Sequence, residues 1–452
     1  MTPPDPDSVR QKLLADLQTL YEAGIQAVMP DRAIFHHVRR DGNLLHIGDR
    51  TYDLSRGRNY LIAFGKAAAL MAEALESLIG DALTDGLAIT KYGHTGQVKL
   101  QKTRLYEAGH PVPDEAGIRA TREALRLAEK ARKDDTVFVL ISGGGSALLI
   151  SPATGLTLQD KQKTTELLLR TGASIQEINT VRKHLSRVKG GQLARAIAPA
   201  QFCSLILSDV IGDPIEFIAS GPTAPDTTTF RDVWNILERY QLRSRLPVSV
   251  RTYVQEGLAG KQPETPKPGD PVLKSGQNRI VGNLAQALQA VYDRARELGY
   301  NTLILTTELE GEARELAHVY AAMTADILKR GWPVSPPACI LCGGEPTVTV
   351  RGSGLGGRSQ ELALALLPKI AGRQVTVFGA VGTDGTDGPT DAAGAHVDDA
   401  SQRRAAQMGL NWLDYLQNND SYHFFEQTGE LIKTGPTQTN VMDMHILLVN
   451  SC

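Results

Sequence analysis

Cysteine is scarce in this chain: 452 residues hold four, Cys203, Cys339, Cys342 and Cys452. That is too few for a disulfide framework at this length, and a reducing cytoplasm is the expected setting. Aromatic residues make up 5%, which suits an α/β protein better than a lectin or a β-sandwich. Charge of one sign is lacking too, with a formal net charge of −2. Nothing electrostatic therefore points to nucleic acid or an acidic membrane as partner. The first twenty residues contain acids and prolines and no apolar signal core. No window approaches a membrane span. Short-period repeats, low-complexity tracts and a Walker A pattern are all missing, and the last of these disfavours a P-loop NTPase.

What is present is an ordinary globular composition, 42% apolar and 22% charged. The chain is too long for one core, so two domains are expected, at 1–250 and 251–452. Residues 8–29 have apolar positions at helical spacing. Short apolar strands then alternate with longer amphipathic segments: strands at 60–64, 86–90, 136–142 and 202–208, helices at 66–79, 115–132 and 158–171. A segment rich in Pro, Gly and charge at 258–274 reads as a surface loop or linker. The alternation then resumes, with strands at 278–282, 301–307, 338–344, 347–352, 374–382 and 445–449, and helices to about 298, at 312–330 and at 359–370. This rhythm predicts α/β/α three-layer, Rossmann-like domains with largely parallel or mixed sheets. Ligands in such sheets sit at the carboxyl ends of the strands, and most of the 43 glycines that form short runs do follow strands.

Five loops carry candidate chemistry. In FGKAA (64–68), Lys66 is expected in the first helical turn, where a cation is disfavoured unless an anion neutralises it; it could equally be a solvated lysine. In SGGGSALL (142–149), Gly143, Gly144 and Gly145 allow a nest of N–H donors flanked by Ser142 and Ser146, suited to a phosphate or carboxylate. A tight βα turn is the alternative. In LSDVIGDP (207–214), Asp209 and Asp213 are hard oxygen ligands of the kind Mg²⁺ prefers, or groups to orient a hydroxyl, or turn formers. CGGEPTVTVRGSGLGGRSQELALALL (342–367) holds Gly352, Gly354, Gly356 and Gly357, a weak dinucleotide fingerprint without the expected acid further on. There Arg358 is a fork for carboxylate or phosphate, Glu345 a metal ligand or cap, and Glu361 a helix cap. In AVGTDGTDGPTDAAG (380–394), Asp384, Asp387 and Asp391 suggest a Mg²⁺ or nucleotide-phosphate loop, or a polar surface loop. CILC (339–342) reads as buried strand. In NTVRKHLSRVKGGQLA (179–194), His184 reads as structural or solvated, while Arg182, Lys183 and Lys189 form a solvated face or edge a pocket. GHPVPD (109–114), with His110, is a proline-stiffened loop.

Taken in order, FGKAA, EAGHPVPD, LISGGGSALL, NTVRKHLSRVKGGQLA, LSDVIGDP with IASGPT, CGGEPTVTVRGSGLGGRSQELALA, VGTDGTDGPTDAAGA and TGPTQTN resemble the successive blocks of the glycerate 2-kinase family, whose C-terminal part is often called the MOFRL domain, here about 335–449. The resemblance runs from about residue 10 to 449. It departs at Ser359, where the family usually has Asn, and at Gln438, where it usually has Gly. The resemblance implies two α/β domains with the active site in the cleft between them, and an enzyme that phosphorylates D-glycerate to 2-phosphoglycerate with ATP and Mg²⁺. It implies Lys66 and Arg358 as the essential cations, with Asp209 helping to orient the hydroxyl and Asp213 beside the substrate. Asp209, Asp213, Asp384 and Asp387, with Glu345 in addition, are the expected metal ligands. Glycerate and ATP are the expected partners, with a homodimer left open. Because members of the family have sometimes been labelled hydroxypyruvate reductase, an NAD(P)H-dependent reductase is the alternative.

Overall fold

The computed structural model describes residues 5–373 and 375–450. The chain forms two compact units, one of residues 30–281 and one of residues 1–29 with 282–452.

In the unit 30–281, three short strands, β1 (Val38–Asp41), β2 (Leu44–Ile47) and β3 (Arg50–Asp53), make a small antiparallel sheet. The main sheet has β4 (Asn59–Phe64), β5 (Leu83–Lys91), β6 (Thr103–Ala108), β7 (Thr136–Ile141), β8 (Gln201–Leu207) and β9 (Gly276–Gly282), in the order β6-β5-β4-β7-β8-β9. The first five of that row run parallel. Continuous apolar runs such as TVFVLI are what a strand covered on both faces requires. Tyr60, Ile62, Phe64, Val137, Val139 and Ile141 pack with Ala120, Ala124 and Leu127 of the helix Glu115–Lys130 and with Leu193 and Ile197 of Gln192–Ile197. Alternation along a strand puts Leu61 and Ala63 on the other face, and the helix Ala68–Ile79 packs against β4 and β5. A separate apolar cluster joins the helices Leu158–Arg170, Ile175–His184, Phe230–Arg239 and Val248–Leu258.

The other unit has β10 (Asn301–Leu309), β11 (Ala338–Gly344), β12 (Thr376–Gly382), β13 (Gly394–Asp398), β14 (Leu431–Ile432) and β15 (Asp443–Val449), in the order β10-β11-β15-β12-β13-β14. β10 and β11 are parallel, while β15 runs antiparallel between β11 and β12. One face packs under the helices Ala313–Arg330 and Arg358–Ile370 through Ile340, Phe378, Ala380 and Leu447. The opposite face takes the N-terminal helix Pro6–Ala27: Leu17 lies against Gly379, and Gly24 against Met444 and Val291. Arg10 makes two hydrogen bonds to Asp399, at 3.2 and 2.9 Å, and the Tyr300 hydroxyl donates to Asp16 at 2.6 Å. Among the described residues no helix is long and apolar enough to cross a membrane.

Two expectations change. The division does not fall at 250/251. The first helix buries its apolar stripe on the last sheet, and 258–274 is fastened within the unit 30–281: Thr265 is buried and donates to Asp226, Asp226 N–H donates to the Pro266 carbonyl, and Arg195 donates to the Glu264 carbonyl. Residues 347–352 are not a strand, because Glu312 and Asn419 take up the amides of Thr349 and Arg351.

His184 proves structural. Its ring nitrogens lie 2.9 Å from the Thr180 carbonyl and 3.1 Å from Glu264. Burial alone would raise the Glu264 pKa, yet hydrogen bonds from His184, the Phe230 amide and Lys267 bring it from 4.5 to about 2. A depressed carboxylate stabilises the fold fully above its unfolded value and loses that contribution as pH falls towards its folded value. Glu264→Gln should therefore cost stability at pH 7, and its deficit against the parent should shrink between pH 4.5 and 2. Urea unfolding at several pH values checks this; a deficit constant with pH would remove Glu264 from the account.

Candidate functional site

In the unit 30–281, β4, β7 and β8 end on one edge, and their following loops interlock there. The Lys66 amide donates to the Gly143 carbonyl at 2.8 Å, and the Ala67 amide to the Ser142 hydroxyl at 3.1 Å. Glycine at 143 lets Asp209 approach the backbone: a Cβ there would lie 2.0 Å from Asp209 Oδ2, and the carboxylate would have to move. A Cβ at Gly144, whose φ is +80°, would lie 3.4 Å from Lys66 Cγ and 3.0 Å from the His110 ring. Lys66, His110, Gly143, Gly144 and Asp209 thus share one rim. Burial, with Lys66, Lys91 and His94 nearby, pulls the His110 pKa down to about 4, so the ring is neutral near pH 7. Asp213 sits just beyond at a left-handed φ of +53° and closes a turn with Val210.

Beside this rim a cavity of about 780 Å³ opens between His110–Pro113, Gly144–Ala147, Leu158–Arg170 and the segment carrying Arg182 and Lys189. Lys189 donates to the Ser146 carbonyl at 2.7 Å, and Lys161 to the Leu185 carbonyl at 2.8 Å. The Ser146 hydroxyl is 2.8 Å from that of Ser220, which donates to Asn179.

In the other unit, strand direction again gathers the site. β15 begins where β11 and β12 end, pairing Asp443 with Gly344 and Gly382. Arg358, first residue of its helix, donates to both oxygens of the buried Asp443, at 2.5 and 3.1 Å, and to Glu345 at 2.8 Å. Burial alone would lower the Arg358 pKa; these carboxylates more than offset it and raise it. Burial raises the Asp443 pKa, Arg358 opposes this, and Glu345 and Asp384 add to the rise.

The structure corrects several roles. Lys66 lies ahead of its helix, which starts at Ala68 after an Ala67 cap. Ser142 is buried, and its hydroxyl ties two loops together. In the loop carrying Gly352, Gly354, Gly356 and Gly357, the N–H groups of 351–355 go to Asn418, Asn419 and Asp420, which takes the amides of Gly352 and Gly354 out of a phosphate cradle. Asp387, expected as a metal ligand, is engaged at the start of Arg358–Ile370, where it accepts the amides of Ser359 and Gln360 at 3.1 and 2.8 Å. Its pKa rises to about 7, mainly through burial and Asp443. Glu361, read as the cap, instead holds Arg314 and Asn419. Lys183 is buried against Asp226 at 3.4 Å. Asp391 pairs with Lys433 and Tyr422 on the surface. Asp384 accepts from the Thr386 amide and hydroxyl. Among the described residues, no three His, Cys, Asp or Glu side chains form a set that could hold a metal ion. Sequence reasoning missed Asp443 and Lys161. The first follows the TGPTQTN block and reads as the lead-in to a strand; the second has no neighbouring motif.

Two α/β units with glycine turns, cations and carboxylates at strand ends are the arrangement of an α/β enzyme that binds anionic ligands. Residues 338–443 match the MOFRL family model, and residues 16–255 match a domain of unknown function, DUF4147. A glycerate 2-kinase of Pyrococcus horikoshii is 42% identical, over 94% of this chain and 95% of its own. A D-glycerate 2-kinase of Thermotoga maritima is 40% identical, over 98% and 99%. The crystal structure of a glycerate kinase from Thermotoga maritima superposes with a TM-score of 0.88 at 40% identity, covering 97% of this chain and 100% of that one. The chain belongs to the glycerate 2-kinase family.

Asp443→Asn removes one partner of a largely buried ion pair. It should cost up to about 3 kcal/mol in urea unfolding; an unchanged midpoint would mean that the pair contributes nothing. Gln438 holds a left-handed φ of +64°, which explains the usual glycine there. Gln438→Gly should raise stability by about 0.5–1 kcal/mol, measured the same way, and a loss would show that the side chain stabilises more than its backbone strain costs.

Proposed function

We propose that this chain is an ATP-dependent glycerate 2-kinase, transferring the γ-phosphoryl group of ATP to the C2 hydroxyl of D-glycerate. The observation that carries this reading is the rim where Lys66 is pinned beside the Gly143–Gly144 turn, with Asp209 against the same glycine. A phosphoryl-transfer site needs positioning and charge stabilisation more than covalent machinery. Lys66 supplies positive charge to the transferring phosphoryl group. Asp209 accepts the hydroxyl proton as the C2 oxygen bonds to the γ-phosphorus, and the bond to the β–γ bridging oxygen breaks to release ADP. Arg358, already shaped to bind carboxylates, binds an anionic group of the substrates.

Mg²⁺ is usually held by one or two carboxylates together with substrate phosphates, so the lack of a preformed cage is compatible with it. Asp209, Asp213 and Asp384 are oxygen donors at strand ends and would hold it; Asp387 is committed to its helix. Bound with ATP, Mg²⁺ neutralises phosphate charge. Reduced thiols and the ATP supply suit a cytoplasmic setting. The reductase alternative rested on the 352–357 glycines, whose neighbouring amides are engaged with 418–420.

An assay coupling ADP release to D-glycerate consumption, with NMR of the product, should give 2-phosphoglycerate; NADH oxidation with hydroxypyruvate instead would overturn the reading. Lys66→Ala and Arg358→Ala should each lower kcat by about 10³-fold or more, with circular dichroism unchanged. Near-parental turnover in either variant would withdraw that residue's role.

A further inference from the structure

Lys161 and Lys189 are 6% and 2% exposed, and each donates only to main-chain carbonyls. Arg182 stands with them on the same cavity wall. Among the described residues none of the three makes an ion pair with a carboxylate. A buried cation is ordinarily matched by an anion, yet the one carboxylate among the described residues lining this cavity, Glu166, pairs with Lys163 and Arg170 and not with these three. Burial pulls the Lys161 pKa down to about 7 and that of Lys189 well down, and the cations reinforce this on one another. Apolar residues line the same cavity: Pro111, Val112, Pro113, Ile150 and Leu169, of which Val112 and Leu169 are 66% and 60% exposed. A cavity of about 780 Å³ is of the size that encloses a drug-sized ligand, much more than a three-carbon acid needs. Gly144 and Ser146 of the glycine turn line it too, and the Ser146 carbonyl accepts from Lys189.

We propose that this cavity seats the nucleotide: the polyphosphate lies against Lys161, Arg182 and Lys189 at the Gly144–Ser146 turn, and the base lies on Pro111–Pro113. The assignment rests on the kinase reading for the nucleotide as occupant, but the polyanion wall stands on its own geometry.

The test measures unfolding temperature and affinity with three probes, tripolyphosphate, ATP and D-glycerate, on the parent chain, Lys161→Met and Arg182→Ala. Tripolyphosphate and ATP should each raise the parent's unfolding temperature and should compete with one another. Lys161→Met should raise the unfolding temperature of the unliganded protein, since it removes a buried charge that has no counter-ion. Both variants should weaken tripolyphosphate and ATP binding at least tenfold and raise the KM for ATP similarly, leaving the KM for glycerate alone. If Lys161→Met lowers the unliganded unfolding temperature while ATP affinity is unchanged in both variants, the lysine is a structural prop and the proposal falls. It falls equally if D-glycerate, and not tripolyphosphate, loses affinity. Failure to phosphorylate D-glycerate, with tripolyphosphate binding intact in the parent and lost in the variants, would sink the kinase reading and leave the polyanion wall established.

Discussion

Arg358 is clasped by Asp443 and Glu345 because of the way three strands run. β11 and β12 end where β15 begins, and their common register brings Gly344, Asp443 and Gly382 side by side. The helix that starts at Arg358 is fixed at the same edge by the Asp387 carboxylate. The guanidinium therefore meets carboxylates from two neighbouring strand ends without a flexible loop between them. A charge pair held at 2.5 and 3.1 Å by backbone register loses little entropy when it forms. The neighbouring glycine loop then has a scaffolding role, with its amides spent on Asn418, Asn419 and Asp420.

The unit 30–281 follows another logic. Lys161 and Lys189 are not matched by carboxylates; they are propped by main-chain carbonyls and line a cavity. Such an arrangement weakens the empty fold and favours whatever anion enters, a common exchange of stability for binding. Lys183 marks the contrast: four residues along from Asn179 in the same basic block, it is buried against Asp226 and takes no part in the cavity.

Most of the sheets were legible in the sequence. Buried parallel strands are continuous apolar runs, and TVFVLI or ACILCGG has few other readings. β1, β2, β3, β6, β13 and β14 escaped, because strands this short or half-exposed resemble loop sequence. Glycine placement located both rims, since a strand followed by glycine needs close backbone approach, as Gly143 does to Asp209. Individual roles were less legible. A carboxylate that caps a helix and one that binds a metal have the same sequence signature, so Asp387 could not be separated from Asp384. Asp443 and Arg358 lie 85 positions apart, and only the pairing of β15 brings them together. The unit boundary was misplaced because a Pro- and Gly-rich stretch marks an irregular path, not a severed one, and because nothing local says on which sheet an N-terminal helix will rest.

That helix has a consequence for how the chain is made. Pro6–Ala27 leaves the ribosome before residues 30–281, yet Gly379 and Met444, against which it packs, are synthesised after them. During the interval its leucine stripe has no native partner, while residues 30–281 can already close their own sheet. The nascent chain must keep this helix soluble until β12 and β15 arrive, and a chaperone that binds amphipathic helices would find its client there.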